Sequence, residues 1–253
     1  MTSLEAPRPP SVRAGAARSA VAPPAAQSGA TSSIDLLLVT AFVALAGLIV
    51  RVVWFTPVEA LQGPAQKILY LKIPSATVAL YLGVPLIALA SGVYLWLRDE
   101  RADLLAEAAA EVSLVFMTVV LLTGAVWGKP VWGTWWTWDA RLTLTLFLWF
   151  VMLSYLVMRG AVEDRAQRAR FSAVLGLLAL LLVPFIHLSV YLFRTLHPQP
   201  VFLKPSAPSM PPEMLSTLLL GFGVIGLLFV ALLRARWRLA QAREALADQE
   251  ETA

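Results

Sequence analysis

Cysteine is absent from the 253-residue chain, and charged residues make up only 14% of it. Without a thiol the chain cannot form a disulfide, a thiolate metal site, a cysteine nucleophile or a thiol relay. The low charge accompanies 58% hydrophobic residues and a mean hydropathy of +0.72. This composition excludes an ordinary soluble domain and indicates a membrane protein.

Long apolar runs determine the predicted fold class. A helix needs roughly 17 to 25 residues to cross the hydrocarbon core of a bilayer. Six such runs predict an all-α integral membrane protein with six transmembrane helices, and the short third run is expected to gain length from Glu107 onward. The runs cover residues 34–54, 75–97, 112–127, 142–158, 171–192 and 214–233.

The positive charge is distributed unevenly over the segments between these runs. The two terminal segments with the second and fourth connections hold 13 Lys and Arg residues, whereas the other three connections hold seven. Cytoplasmic loops of membrane proteins keep the positive charge. Both termini are therefore predicted to be cytoplasmic, with the first, third and fifth connections outside.

The two ends of the chain differ in composition from the spans. Residues 1–33 are rich in Ala, Pro, Ser and Arg, which predicts a disordered cytoplasmic tail, although an organellar transit peptide has a similar composition. Residues 34–233 form the predicted six-helix transmembrane domain. Residues 234–253 carry Ala and alternating charges, which predicts a charged cytoplasmic tail in the form of a solvated helix.

Tryptophan is concentrated in the connection between the third and fourth runs. Five of the nine Trp residues fall between Trp127 and Trp138, where Gly128, Pro130 and Gly133 interrupt regular structure. An interfacial belt of Trp would spread over many helix ends. A single cluster favours an aromatic platform for a flat ligand in an external loop.

The residues after Gly133 could form a helix, and the charged pair Asp139 and Arg141 among them admits two interpretations. If they form a helix along the interface, Trp132, Trp135 and Trp136 share a face, with Asp139 close to it. Asp139 and Arg141 could form an ion pair at the membrane edge, or Arg141 could hold a ligand carboxylate through a bidentate fork.

Both histidines of the chain lie near the end of the fifth run. His187 is inside the run, where an intramembrane His is either a functional group or a hydrogen-bonded structural one. His197 lies just beyond the run, on the same predicted side as the Trp cluster. Its neutral imidazole could bind a metal, and the alternative is an ordinary surface His.

The Trp segment carries a family resemblance. The run WGTWWTWDARLT at positions 132–143 matches the pattern WGxxWxWDxRLT, and the chain thereby resembles the WWD family of membrane haem-handling proteins, in its cytochrome c maturation branch, CcmC. The resemblance extends over roughly residues 34–240. It includes Tyr70-Leu71 with Ile73-Pro74, then Ile186-His187, and the run TLH at positions 195–197.

The resemblance implies a haem b site at the outer face. The platform residues would be Trp132, Trp135, Trp136 and Trp138, with Asp139 and Arg141 beside them. His197 matches one of two axial iron ligands of the family, and Lys72 stands where the family has the other. This departure leaves three possibilities: iron ligated by His197 and Lys72, iron held by His197 alone, or a partly lost site. His187 is a further candidate for the second axial position.

The resemblance also implies a function and partners. The chain is expected to be a haem-binding subunit of cytochrome c maturation in the bacterial inner membrane, delivering haem to the periplasmic haem chaperone CcmE. CcmA, CcmB and the small protein CcmD are the other expected partners. No Walker A pattern occurs, so ATP hydrolysis is expected in another chain and this one is not expected to be an enzyme. A haem-attachment synthase subunit of the CcsA type and a non-haem membrane scaffold or permease are the alternatives.

Overall fold

The computed structural model of the chain describes residues 35–198 and 210–252. The predicted N-terminal tail, residues 1–33, lies outside the described residues. Most of the fifth connection, residues 199–209, also lies outside them.

Six helices in the described part are long and apolar enough to cross a membrane, which confirms the predicted fold class. No strand occurs in the same residues, and the only bridge there pairs Glu59 with Gly63. The spans are Leu36–Phe55, Pro64–Leu97, Glu100–Trp132, Ala140–Ala161, Arg165–Leu192 and Pro212–Glu250.

Regular α-helix makes up most of each span. The first span contains α1 and ends in a π-helical turn, Arg51–Phe55. The second span begins with a 3₁₀ turn, Pro64–Ile68, and a π-helical turn, Val78–Gly83, separates its two α-helices. The α-helices are α1 (Leu36–Val50), α2 (Leu69–Thr77), α3 (Val84–Leu97), α4 (Glu100–Trp132), α5 (Ala140–Ala161), α6 (Arg165–Leu192) and α7 (Pro212–Thr252).

Aspartate side chains begin four of these helices. Asp35, Asp99, Asp139 and Asp164 each accept a hydrogen bond from a backbone N–H in the first turn of α1, α4, α5 and α6, respectively. Such caps satisfy N–H groups that have no partner within the helix, and each contributes about 1 kcal/mol. The acidic residues near the interfaces therefore determine where the helices start.

The third span is much longer than the apolar run that predicted it. The run begins at residue 112, whereas α4 begins at Glu100 and ends at Trp132. Ala-rich residues between Ala102 and Ala110 favour a helix although their hydropathy is modest. Gly133 ends α4 in the left-handed conformation with φ 78°, so Trp127 and Trp132 belong to the helix and not to the predicted loop.

The second span also begins earlier than predicted. The apolar run starts at residue 75, but helical structure starts at Pro64, which places Lys72 inside α2 and not in a connection. Pro85 follows the π-helical turn and has no N–H to donate to the Tyr81 carbonyl, so the α-helical ladder is interrupted there. The extra residue in this turn changes which side chains face the neighbouring helices.

Helix α4 lies at the centre of the bundle. It contacts α2, α3, α5, α6 and α7, while α1 packs on α7. Many of its buried positions are small, including Ala106, Ala109, Ser113 and Gly124. Small side chains let helix backbones approach closely in a membrane, where lipid removes most of the hydrophobic drive for helix association.

A buried cluster of charges ties α4 to α5. Arg159 donates from Nη1 and Nη2 to the two carboxylate oxygens of Asp103 at 2.7 and 2.8 Å, and from Nη2 to Glu107 at 2.8 Å. Only 5% of the Arg159 side chain is exposed. A buried bidentate pair of this kind is costly to break, because removing one partner leaves the other charge uncompensated.

We expect Arg159→Met to destabilise the bundle by about 3 kcal/mol, because it leaves Asp103 and Glu107 without their cation. The free energy of unfolding in detergent micelles measures the loss. Arg234→Met is the matched control, since Arg234 forms only a 4.0 Å exposed pair with Asp35 and should contribute less than about 1 kcal/mol. Equal losses in the two variants would contradict this role of Arg159.

The absence of native cysteine makes the topology directly testable. We expect Leu61→Cys, in the first connection and 94% exposed, to react with a membrane-impermeant maleimide added outside intact cells. Glu163→Cys, between α5 and α6, should react only after the membrane is permeabilised. Labelling of Glu163→Cys in intact cells would reverse the predicted orientation.

Candidate functional site

One cavity opens at the end of the bundle where α4 ends at Trp132 and α5 begins at Ala140, which we call the tryptophan end. Its walls come from the first connection, α2, the π-helical turn Val78–Gly83 and α4. The connection after α4, then α5, α6 and the segment that follows α6 complete them. The polar and aromatic residues that line it are Gln62, Lys72, Thr77, Tyr81, Trp127, Trp132, Trp135, Trp136, Arg141, Thr145, His187 and His197.

Two Trp rings on α4 connect Lys72 with His197 through consecutive contacts. The rings of Trp127 and Trp132 meet edge to face with centroids 4.9 Å apart, and Trp132 meets the His197 ring at 6.1 Å. Lys72 Nζ lies 4.8 Å from the Trp127 ring centroid. Trp127 is also held by a hydrogen bond, because its Nε1 donates to Gln62 Oε1 at 3.0 Å.

The connection after α4 is not the interfacial helix considered from the sequence. Residues 133–139 have no helical structure, and the turn is held by hydrogen bonds from Lys129 Nζ to the Gly133 carbonyl and from the Thr134 hydroxyl to the Trp136 carbonyl. The left-handed Gly133 breaks the helical path, so a shared face with 3.6-residue spacing does not form.

The Trp residues of this connection differ in position. Trp135 and Trp136 line the cavity, and Trp135 is 58% exposed. Trp138 is 76% exposed, meets Trp136 edge to face at 5.7 Å and lies outside the lining. The predicted platform therefore has an inner part on α4 and an outer part in the connection.

Asp139 organises the site without lining the cavity. Its carboxylate accepts from Leu142 N at 2.9 Å, which caps α5, and from the Thr195 hydroxyl at 2.8 Å. Thr195 in turn accepts from His197 N at 3.0 Å. The Asp139 carboxylate thus connects the Trp segment to the segment that carries His197, and it does not form the ion pair with Arg141 that was one of the two alternatives considered from the sequence.

His197 presents a neutral imidazole to the cavity. Burial, together with the positive charges of Arg141 and Lys72, lowers the pKa of His197 from its ordinary 6.5 to about 3. Its Nδ1 lies 3.0 Å from the Pro198 carbonyl, which can only accept, so Nδ1 carries the proton. The lone pair is then on Nε2, the tautomer that suits a metal ligand.

Two cations line the cavity without an acidic neighbour in it. None of the described residues in the lining is Asp or Glu. Arg141 Nη1 is buried and has no hydrogen-bond acceptor among the described residues. Lys72 is buried beside Gly124, where a Cβ would lie 3.2 Å from Nζ, so glycine leaves the space that the ammonium occupies. The electrostatics of the cavity favour an anionic ligand.

His187 lies in the same lining and has a partner that the sequence did not reveal. Its Nδ1 is 2.8 Å from the Tyr81 hydroxyl, and Tyr81 comes from the π-helical turn before Pro85. Tyr81, Gln62 and Thr145 have no motif around them, so sequence reasoning did not single them out. The only available signal was Pro85, which indicates an irregular turn next to Tyr81.

These features define a class: a six-span membrane protein with a tryptophan-walled, cationic cavity that contains a neutral imidazole. Among the described residues no group of three or more His, Asp or Glu side chains could hold a bare metal ion. A metal bound by His197 would therefore need further ligands that are not side chains of these residues.

Comparison with known proteins identifies the family. The family model CcmC, heme exporter protein C, matches residues 18–251. Heme exporter protein C of Haemophilus influenzae is 36% identical over 209 residues, 81% of this chain and 84% of that protein. The same-named protein of Bradyrhizobium diazoefficiens is 37% identical over 183 residues, 72% and 69% of the two chains. The chain belongs to the heme exporter protein C family.

A mitochondrial protein is also similar. The putative ccmC-like mitochondrial protein of cytochrome c biosynthesis from Marchantia polymorpha is 32% identical over 170 residues, 67% of this chain and 71% of that protein. The resemblance found in the Trp segment is thus confirmed over most of the chain.

We expect His197 to remain neutral in the ligand-free protein at about pH 5, where an ordinary His with a pKa near 6.5 is mostly protonated. The pKa is lowered, so the imidazolium should form only at a more acidic pH. Nuclear magnetic resonance of ¹⁵N-labelled histidine in a His187→Gln background observes His197 alone. Lys72→Met should raise the pKa of His197, because it removes a nearby positive charge. Imidazolium signals of His197 near pH 6.5 without this substitution would contradict the expectation.

Proposed function

We propose that this chain binds haem b in the cavity at the tryptophan end and acts as the haem-handling subunit of cytochrome c maturation. One observation carries the proposal: a neutral His197, the cation Arg141 and several Trp rings line the same cavity. Membership of the heme exporter protein C family supports it.

The residues present fit the chemistry of haem. Haem has two flat apolar faces, which pack well against rings such as Trp132, Trp135 and Trp136. Its iron binds a neutral imidazole, and His197 Nε2 would supply that ligand. Its two propionates carry negative charge, and one of them would supply the acceptor that Arg141 Nη1 lacks.

Lys72 is better suited to a propionate than to the iron. Its Nζ lies over the Trp127 ring, which is the position that an ammonium takes in a cation–π contact. An ammonium has no lone pair and cannot ligate a metal. We therefore propose His197 as the protein ligand of the iron, with Lys72 acting through its charge. His187 is held by Tyr81 and remains the other candidate ligand.

The outer Trp residues suit a site that releases its cargo. Trp135 and Trp138 are more than half exposed, so a partner can reach a haem that lies against them. We propose that haem is presented at the periplasmic face of the bacterial inner membrane and passes to the haem chaperone CcmE. CcmA, CcmB and CcmD are the proposed partner subunits, and ATP hydrolysis is assigned to a chain other than this one.

We expect the wild type, expressed with ample haem and purified in detergent, to retain near-stoichiometric haem. His197→Ala should weaken haem affinity at least about ten-fold, equivalent to about 1.4 kcal/mol of binding free energy, because the iron loses its protein ligand. Lys72→His should shift the absorption spectrum towards bis-histidine ligation if residue 72 can reach the iron. Pyridine haemochrome assay and absorption spectra provide the measurements.

His187→Ala is the matched control, since it removes the other histidine from the same cavity. It should keep most of the haem. Loss of haem in His187→Ala with retention in His197→Ala would reverse the ligand assignment. A wild type that contains no haem, with a Lys72→His variant that contains none either, would contradict the haem-binding proposal and favour a scaffold.

A further inference from the structure

A second cavity lies at the opposite end of the bundle, where α5 ends at Ala161 and α6 begins at Arg165, which we call the arginine end. Residues of α3, α4, α5, α6 and α7 line it. It shares no residue with the cavity at the tryptophan end. The proposed haem function makes no use of it.

The arginine end lies at the level of a membrane interface. Helix α4 has 33 residues, about 50 Å, which exceeds a hydrocarbon core of about 30 Å. Its excess length is at the charged N-terminal part that lines the cavity. Trp96, at the end of α3, is 88% exposed, and exposed Trp side chains favour the headgroup level.

Most acidic side chains of this cavity already have a cation. Asp103 and Glu107 bind Arg159, Glu111 binds Arg236, and Glu244 binds Arg165. These pairs connect α4 to α5 and α7, and α6 to α7. They leave Glu100 as the acidic residue of the lining without an ion pair in the described part of the chain.

Two arginines of the lining remain without an acidic partner. Arg168 on α6, which is partly buried, and Arg243 on α7, which is exposed, form no ion pair with any described residue. The Nε atoms of Arg159 and Arg168 are buried and have no hydrogen-bond acceptor among the described residues. Buried donors of this kind normally have a partner, and an acceptor bound in the cavity would satisfy them.

We propose that the cavity at the arginine end binds the phosphate of a phospholipid headgroup through Arg168 and Arg243. Guanidinium groups hold phosphate oxygens through paired, charge-assisted hydrogen bonds. The lining as a whole has five Arg and five Asp or Glu side chains, so the positive charge for a headgroup comes from these two unpaired arginines, and arginines between transmembrane helices at the interface recognise lipid headgroups. A lipid is favoured over a free anion because the cavity opens at headgroup level, where the acyl chains can stay in the bilayer.

The bound lipid would stabilise this end of the bundle. Its phosphate would join α6 and α7, which are already linked by the Arg165 pair with Glu244. Haem binding takes place at the other end and should be unaffected by loss of the lipid.

Native mass spectrometry of the delipidated full chain tests the proposal with three probes: phosphatidylglycerol, the diacylglycerol with the same acyl chains, and inorganic phosphate. We expect one phosphatidylglycerol to remain bound to the wild type. Arg168→Gln with Arg243→Gln should lower the bound fraction at least about five-fold, while Arg168→Lys with native Arg243 should retain part of it.

Arg170→Gln with Arg238→Gln is the matched control. These two exposed arginines lie on the same helices, outside the lining, and their loss changes the net charge equally. The control should bind phosphatidylglycerol like the wild type. Three outcomes would overturn the proposal. The two double variants could lose phosphatidylglycerol equally, or the wild type could retain diacylglycerol as well as it retains phosphatidylglycerol. The wild type could also bind inorganic phosphate in place of the lipid. Unchanged thermal unfolding of the Arg168 and Arg243 variant before lipid addition shows that it has folded.

Discussion

The geometry of the tryptophan end depends on two hydrogen bonds that the carboxylate of Asp139 accepts. One oxygen caps α5 and the other accepts from Thr195, which in turn holds the backbone of His197. Two segments that are far apart in sequence are thereby fixed to one another at the mouth of the cavity. A carboxylate with both oxygens used in this way positions His197, which lines the cavity, although Asp139 itself is outside the lining.

Charge is handled differently at the two ends of the bundle. At the arginine end, ion pairs neutralise most acidic and basic groups, and the bidentate contact of Arg159 with Asp103 lies deepest. At the tryptophan end, Lys72 and Arg141 share a cavity with no carboxylate in its described lining. Desolvated cations without a counterion are expensive, so such an arrangement is expected where a ligand brings the negative charge.

Close backbone approach and an interrupted helix create the space for the site. Gly124 leaves room for Lys72, and a Cβ at Gly128 would lie 3.2 Å from the Trp132 ring. The π-helical turn before Pro85 directs Tyr81 towards His187. These features concern single positions, and none of them changes the average hydropathy of a span.

The sequence by itself determined the six spans, the Trp cluster, the pair of histidines and the family, because long apolar runs and a twelve-residue motif are local properties of the chain. It misjudged where α4 and the second span begin, since the capped, Ala-rich start of α4 and the polar 3₁₀ turn Pro64–Ile68 are helical although their hydropathy is modest. Only the tertiary structure decided that Asp139 binds Thr195 and not Arg141, that Trp138 lies outside the lining, and that Lys72 rests on Trp127. Such contacts join residues distant in sequence, and their partners are chosen by helix packing, which no local pattern encodes.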